Sequence, residues 1–214
     1  RDGTIGCGAE RIMPLVELPL LGRHNALNAQ AAFALAECVL PSAQSLLSLV
    51  SGIRSFAGLP HRMSLVAERD GVRYVDDSKA TNVGATLAAI EGLFDAACPE
   101  QKLALLLGGD GKGQDFSPLT APIARAGRAV ALIGRDADAI NAVMPAMLPV
   151  QSFADLPAAT RWLADQAQPG DTVLLSPACA SLDMFCNYAE RAQLFIDTVH
   201  SISSCAPMKD GEAA

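Results

Sequence analysis

From residue 64 onward the sequence predicts a doubly wound α/β domain with a mostly parallel sheet. Three observations carry that expectation. Short apolar runs alternate with helix-forming segments, the pattern produced when helices cover both faces of a parallel sheet. One run, Leu103 to Leu107, is apolar at all five positions, which suits a strand buried on both faces. The stretches richest in small, polar and charged residues follow three of these runs, where open parallel sheets bind ligands.

Residues 1 to 22 read as short strands and turns, with Gly3, Gly6 and Gly8 as breaks and Val16 to Leu20 as a further extended piece. "GRHNALNAQAAFALAECVL" follows, and its alanines and leucines favour a helix. Ala32, Leu35, Ala36 and Val39 recur at helical spacing, so that face is expected to be buried. A second helix is expected over Ser42 to Ser51. "SFAGLPHRMS" then carries Gly58 and Pro60, which break regular structure and place a domain boundary near residues 60 to 64.

Beyond that point Ser64 to Glu68 and Arg73 to Val75 predict a hairpin turned at Asp70-Gly71. Asn82 to Glu91 predicts a helix with Thr81 as N-cap and Gly92 just past its end. After the Leu103–Leu107 strand, Ser117-Pro118 reads as an N-cap followed by proline at the first helical position. Val130 to Ile133 predicts a strand, Ala137 opens a helix, and Asp155 to Gln166 is helical. Thr172 to Leu175 predicts the last buried strand and Asn187 to His200 the last helix. The polar "SSCAPMKDGEAA" reads as a frayed tail. The whole order is Rossmann-like.

The chain has 214 residues, half of them hydrophobic, so a sizeable core is expected rather than disorder. No apolar run reaches the roughly 18 residues of a membrane span. A net charge of −7 without a basic run argues against a nucleic-acid partner. The six cysteines, Cys7, Cys38, Cys98, Cys179, Cys186 and Cys205, form no CxxC pair, and none of the three histidines stands at zinc-ligand spacing to a cysteine. Reduced thiols in a cytoplasmic protein are the simplest reading. The chain opens on Arg1 without a signal pattern, so its natural N-terminus is expected to lie upstream.

Three loops carry the chemistry. "DDSKATN", residues 76 to 82, ends at a helix start, where free N–H groups and partial positive charge favour anions. Lys79 adds a cation there, and Asp77 can accept from a sugar hydroxyl; the alternative is a capped helix with solvated charges. "GGDGKGQDFSP", residues 108 to 118, lets backbone approach a ligand and presents Lys112, although a flexible surface turn would read the same. It is not a Walker A loop: Leu106 stands where glycine is required, and Gly113 where Ser or Thr is required. No GxGxxG follows any strand, which disfavours NAD. "SPACASLDMF", residues 176 to 185, is a second small-residue cradle before a helix. Cys179 within it could be a nucleophile, but it lacks a histidine nearby in sequence.

These motifs, quoted as "DDSKATN", "LLLGGDGKGQDFSPL" and "LLSPACASLDMF" followed by Asn187-Tyr188 and Glu190-Arg191, resemble the C-terminal domain of the D-glutamate-adding branch of the Mur ligase family. "LLGRHNALNAQAAFALAE" and "GLPHR" resemble the later part of that family's central ATPase domain. The match runs in family order from about residue 18 to 196. Sister ligases that add other amino acids differ at "DSKATN".

The resemblance implies an ATP-dependent ligase that joins D-glutamate to UDP-N-acetylmuramoyl-L-alanine through an acyl phosphate, in peptidoglycan synthesis. It implies that Asn28, with Asn25, contacts the adenine side, that Arg62 and Lys79 reach the phosphates as catalytic groups, and that Asp77 holds the ribose. Thr81, Lys112, Ser181, Leu182 (through its backbone) and Tyr188 would hold D-glutamate; phenylalanine is common at the last position in the family. It also implies residues 1–61 as the end of the ATPase domain, 62–203 as the amino-acid-binding domain and 204–214 as a flexible tail.

ATP and Mg2+ are the expected nucleotide and ion, with the metal ligands outside these residues. The P-loop, the carbamylated-lysine segment and the UDP-binding domain of the family have no counterpart in the sequence, so the chain alone is expected not to turn over. A monomer is expected, and His24 reads as structural rather than a metal ligand. Two alternatives remain at this stage: another Mur or folylpolyglutamate-type ligase, and a non-catalytic α/β module that binds a nucleotide or an acidic metabolite.

Overall fold

The computed structural model describes residues 3–7, 10–39 and 46–202. Two strands, β1 (Thr4–Cys7) and β2 (Glu10–Pro14), form an antiparallel pair. Helices α1 (His24–Val39) and α2 (Leu46–Ser55) pack beside it around Ile5, Met13, Leu18, Ala29, Phe33 and Val50. Two expectations change here. Residues 16–20 form no strand; a single 3-10 turn, Leu15–Glu17, stands at their start, and Val16 is 90% exposed. The inward face of α1 is Ala29 and Phe33, not Ala32, Leu35, Ala36 and Val39, of which Leu35 and Val39 are among the most exposed apolar residues. An alanine-rich helix is apolar nearly all round, so spacing alone does not choose its face. The proposed start of α2 at Ser42 and the tail from Ser203 lie outside the described residues.

The second part is a six-stranded sheet of order β3-β4-β8-β5-β6-β7. Its strands are β3 (Ser64–Arg69), β4 (Val72–Asp76), β5 (Leu103–Gly108), β6 (Gly127–Ile133), β7 (Val150–Ser152) and β8 (Thr172–Leu175). All neighbours are parallel except the edge pair β3–β4, whose hairpin turns at Asp70 and Gly71, both with positive φ. That is the turn chemistry the Asp-Gly pair supplies.

The sheet is covered on both faces. Leu105, Leu107, Val130, Leu132 and Leu174 point to one side, against α3 (Val83–Leu93), α4 (Thr120–Ala126) and α5 (Ala137–Asn141). Ala104, Leu106, Ala129, Ala131 and Val173 point to the other, against α6 (Leu156–Gln166) and α7 (Tyr188–Ser201). The two-residue alternation of a strand thus splits one apolar run between two cores. Each fully buried leucine contributes roughly 1.5–3 kcal/mol.

Three caps differ from expectation or refine it. Asn82, not Thr81, caps α3, and its side chain accepts from Ala85 N–H at 2.9 Å. Gly92 lies inside that helix, because Val83–Leu93 continues two residues past the expected end at Glu91. Ser117 does not act as a cap; Asp115 accepts from its N–H and its hydroxyl at 2.8 and 2.6 Å, and Pro118 sits in the 3-10 turn that follows. Asp155 and Asn187, expected as the first residues of the last two helices, stand one position outside them as the N-caps of α6 and α7. Strand β7 was not legible: three residues, of which only Val150 is half-buried, carry no periodicity.

Candidate functional site

Sheet order positions the site. Strand β8 lies between β4 and β5, so the loops after these three strands, residues 76–82, 108–118 and 176–187, stand side by side at the carboxyl edge. Connections from residues far apart in sequence brace them. Asp110 and Ala180 exchange two backbone hydrogen bonds, each 2.9 Å, which join the second loop to the third. Gln114 accepts from Val83 N–H at 2.9 Å and donates to the Ala178 carbonyl at 2.6 Å, so it spans all three.

Arg191 of α7 is fully buried and ties the first loop to the third. It donates to the Ser78 hydroxyl at 3.0 Å, to the Ser78 carbonyl at 2.8 Å and to the Cys179 carbonyl at 3.2 Å. Burial pulls its guanidinium down to about 10, which leaves it cationic at neutral pH. Arg135, after β6, reaches Asp110 at 2.9 Å, while its N–H donates to Asp183 at 2.8 Å.

Gly108 and Gly109 allow this close stacking. Both have positive φ, and a Cβ would stand 1.9 Å from the Ile133 carbonyl oxygen in the first case and 2.2 Å from the Ala180 carbonyl oxygen in the second. No other residue fits either requirement.

The expected nucleotide residues come together. Asn25, Asn28, Arg62 and Asp77 line one small pocket of about 150 Å3, closed by His24, Met63 and alanines of α3. Its polar walls come from the start of α1, from the segment entering β3 and from the end of β4. A larger apolar groove of about 650 Å3 runs between α1 and α2, lined by residues such as Phe33, Ile53, Phe56 and Leu59, and shares Asn25, Asn28 and Arg62 with it. The polar and charged groups Asn25, Asn28, Arg62 and Asp77 converge on the smaller pocket, whereas the larger groove is mostly apolar.

Asp77 is buried, and loss of water is the main cause that pushes its carboxyl up to about 7. The Ser176 hydroxyl at 2.9 Å and the Met63 N–H at 3.3 Å pull the other way. Each oxygen has one donor, which leaves lone pairs for a ligand hydroxyl.

Lys79 does not line that pocket. Its ammonium sits 3.8 Å from the centroid of the Tyr188 ring, between the nucleotide residues and the third loop. The residues expected to hold D-glutamate are distributed over the braced rim rather than in mutual contact. Thr81 precedes the cap of α3 and is half-buried, and Lys112 is exposed on a left-handed residue with φ of 54°. Ser181 is buried, and its carbonyl accepts from Met184 and Phe185 N–H at 3.1 and 2.8 Å. Leu182 exposes its side chain beside them.

Cys179 is fully buried, and burial, with the Asp136 charge next, pushes its thiol up to about 12. That rules it out as a nucleophile at neutral pH. His24 packs its Nδ1 against the Ala88 carbonyl at 3.2 Å, a structural contact between α1 and α3. Among the described residues no three His, Cys, Asp or Glu side chains cluster to hold a metal ion.

Sequence reasoning gave no role to His61, Asp76, Gln114 or Arg191. Their importance lies in partners 12 to 113 residues away, which local patterns do not reveal.

A doubly wound sheet with braced, cation-bearing loops at adjacent strand ends defines the class: an open α/β domain with its polar rim at the carboxyl edge, where such sheets bind ligands. The model of the family described as "Mur ligase, glutamate ligase domain" matches residues 61–179, more than half of the chain, and the chain belongs to that family. A UDP-N-acetylmuramoylalanine–D-glutamate ligase of Dechloromonas aromatica is 54% identical over 95% of this chain and 43% of its own length. One of Aromatoleum aromaticum is 56% identical over 88% of this chain and 39% of its own length. The chain therefore spans about two-fifths of the relatives it matches.

Among solved structures, the folylpolyglutamate synthase of Mycobacterium tuberculosis complexed with ADP shares the fold. Its TM-score is 0.63 at 17% identity, over 83% of this chain and 41% of that one. A bifunctional folylpolyglutamate synthase/dihydrofolate synthase of Yersinia pestis, complexed with AMPPNP and Mn, gives 0.60 at 20% identity, over 91% of this chain and 43% of that one.

Proposed function

We propose that this chain is the amino-acid-binding part, with the adjoining edge of the ATP-binding part, of a ligase that joins D-glutamate to UDP-N-acetylmuramoyl-L-alanine at the expense of ATP. The identity of 54–56% to ligases of that name supports the substrates. The convergence of Asn25, Asn28, Arg62 and Asp77 on one pocket carries the nucleotide assignment. The asparagine amides suit the edge of a purine, the adjoining apolar groove suits its faces, and Asp77 suits the ribose hydroxyls.

In this reading ATP phosphorylates the alanyl carboxylate, the amine of D-glutamate attacks the acyl phosphate, and the tetrahedral adduct expels phosphate. The chain's own contribution is positioning and charge. Arg62 and Lys79 are the catalytic cations at the phosphates. Lys112, the Thr81 and Ser181 hydroxyls and the Leu182 N–H take the two carboxylates of D-glutamate, and Tyr188 packs against it. Mg2+ would neutralise phosphate charge when bound, with its ligands supplied by the remainder of the ligase.

We place the boundary between the two parts at residues 61 and 62. The family match starts there, and the apolar cluster of Ile5, Met13, Phe33 and Val50 is separate from the two clusters of the large sheet. A cytoplasmic monomer is the working assignment; among the described residues no helix is long and apolar enough to cross a membrane, and Cys38, Cys98, Cys179 and Cys186 are free thiols.

The test is phosphate release by the chain joined to the upstream segment that its relatives carry. Release should require ATP, UDP-N-acetylmuramoyl-L-alanine and D-glutamate together. Release at the full rate with ATP and D-glutamate but no UDP-N-acetylmuramoyl-L-alanine would contradict the acyl-phosphate scheme.

A further inference from the structure

The segment that enters β3 is held in an unusual way. His61 and Met63 both adopt left-handed backbone, with φ of 62° and 51°, and Arg62 lies between them. Residues other than glycine seldom adopt that region, and two of them flanking one arginine need surrounding contacts to hold them. His61 makes three such contacts. Its Nδ1 lies 2.7 Å from Oδ2 of Asp76, a buried carboxylate whose other oxygen accepts from Ser78 N–H at 2.9 Å. Its carbonyl accepts from Lys79 N–H at 3.1 Å. Its ring meets Tyr188 edge to face, with centroids 5.9 Å apart and planes at 72°.

The same Tyr188 ring carries the Lys79 ammonium at 3.8 Å, and the Tyr188 carbonyl accepts from the Ser78 hydroxyl at 2.8 Å. Two residues after His61, Met63 N–H donates to Asp77 at 3.3 Å. His61 therefore touches the loop that carries Lys79 and Asp77, abuts the ring at the start of α7, and precedes the arginine that lines the nucleotide pocket.

We propose that His61 is a positioning residue: clamped between Asp76 and Tyr188, it fixes the turn that aims Arg62 at the nucleotide and links that setting to Lys79 and to the ring beside the amino-acid site. The inference rests on the proposed ligase function for its catalytic consequence, but the clamp itself can be tested apart from it. Asparagine is the informative replacement. It tolerates left-handed backbone, and its amide can donate to Asp76 from nearly the place of Nδ1, whereas alanine loses both.

In the active ligase, His61→Ala should lower kcat about tenfold or more and raise the KM for ATP, while the KM for UDP-N-acetylmuramoyl-L-alanine stays within about twofold. His61→Asn should return kcat to within about threefold of the unaltered protein. An unchanged kcat in His61→Ala, or His61→Asn no better than His61→Ala, would overturn the positioning role. In the 214-residue chain, limited trypsin digestion reads the clamp directly. His61→Ala should speed cleavage after Arg62 by about tenfold. Cleavage at the original rate would overturn the clamp, whether or not the ligase proves active. If the unaltered ligase released no phosphate while the trypsin result held, the ligase reading would fail and the clamp would stand.

Discussion

Asp77 combines burial just past the end of β4 with a place on the wall of the small polar pocket proposed to take the nucleotide. Its carboxyl titrates near 7 because loss of water outweighs the Ser176 and Met63 donors and the Arg62 charge. Folded protein then holds a proton that unfolded protein releases at 3.8, so stability should fall as pH rises from 3.8 to about 7 and level off above that. Asp77→Asn should remove that slope, and urea midpoints of both proteins across the window will show it. Ribose hydroxyls would favour the ionised form, so nucleotide binding at pH 7 should expel a fraction of a proton. Calorimetry in two buffers of different ionisation enthalpy measures this; equal heats would remove Asp77 from the ribose.

Lys112 is exposed on its glycine-flanked turn. Lys112→Ala in the active ligase should raise the KM for D-glutamate about 10- to 100-fold, the worth of a hydrogen bond to a charged group, and leave the KM for ATP within about twofold. Equal shifts in both constants would give the lysine another role. At this scale the sequence showed the polar and charged groups that stand at the ends of β4, β5 and β8, since they follow apolar strands. It did not show Gln114 or Arg191, which act by reaching across loops. Nor did it show that Lys79 rests on Tyr188.

Among the elements, the loop after β5 depends on two glycines more than on its charges. Gly109→Ala would drive a Cβ into the Ala180 carbonyl and prise the second loop from the third. The variant should lose about 1–3 kcal/mol of stability, and the KM for D-glutamate should rise more than that for ATP, because only the amino-acid residues straddle this seam. Chemical denaturation and steady-state kinetics check the two parts; a stable variant with normal kinetics would show that the seam tolerates separation.

The strands β5, β6 and β8 were legible because four or five apolar or β-branched residues in a row can fit few other places, and β4 because it follows the Asp70-Gly71 turn of its hairpin. Helix faces were less so. In α1 nearly every position could face inward, and the hairpin of β1 and β2 with α2 decided that Phe33 does. Caps were read one residue early at α3, since Thr81 and Asn82 are both good caps and only backbone geometry selects between them.

For the molecule as a whole, strand order converts three loops distant in sequence into one rim. Strand β8 enters last yet lies between β4 and β5, and no local pattern encodes that insertion. The parallel sheet could be inferred from alternation, whereas the adjacency of the loops had to be seen. The same layout puts the small polar pocket where the first part of the chain meets the second, so the proposed nucleotide site draws residues from both. Without a phosphate-binding glycine loop among its 214 residues, the chain alone should not hydrolyse ATP, and a malachite-green assay on a clean preparation checks this.

The central claim is that this rim selects D-glutamate. The most direct measurement is phosphate release by the chain joined to its upstream segment, with ATP, magnesium and UDP-N-acetylmuramoyl-L-alanine, comparing D-glutamate with L-glutamate, L-lysine and meso-diaminopimelate. Release with D-glutamate alone is the predicted result. Equal or faster release with any of the other three would contradict it.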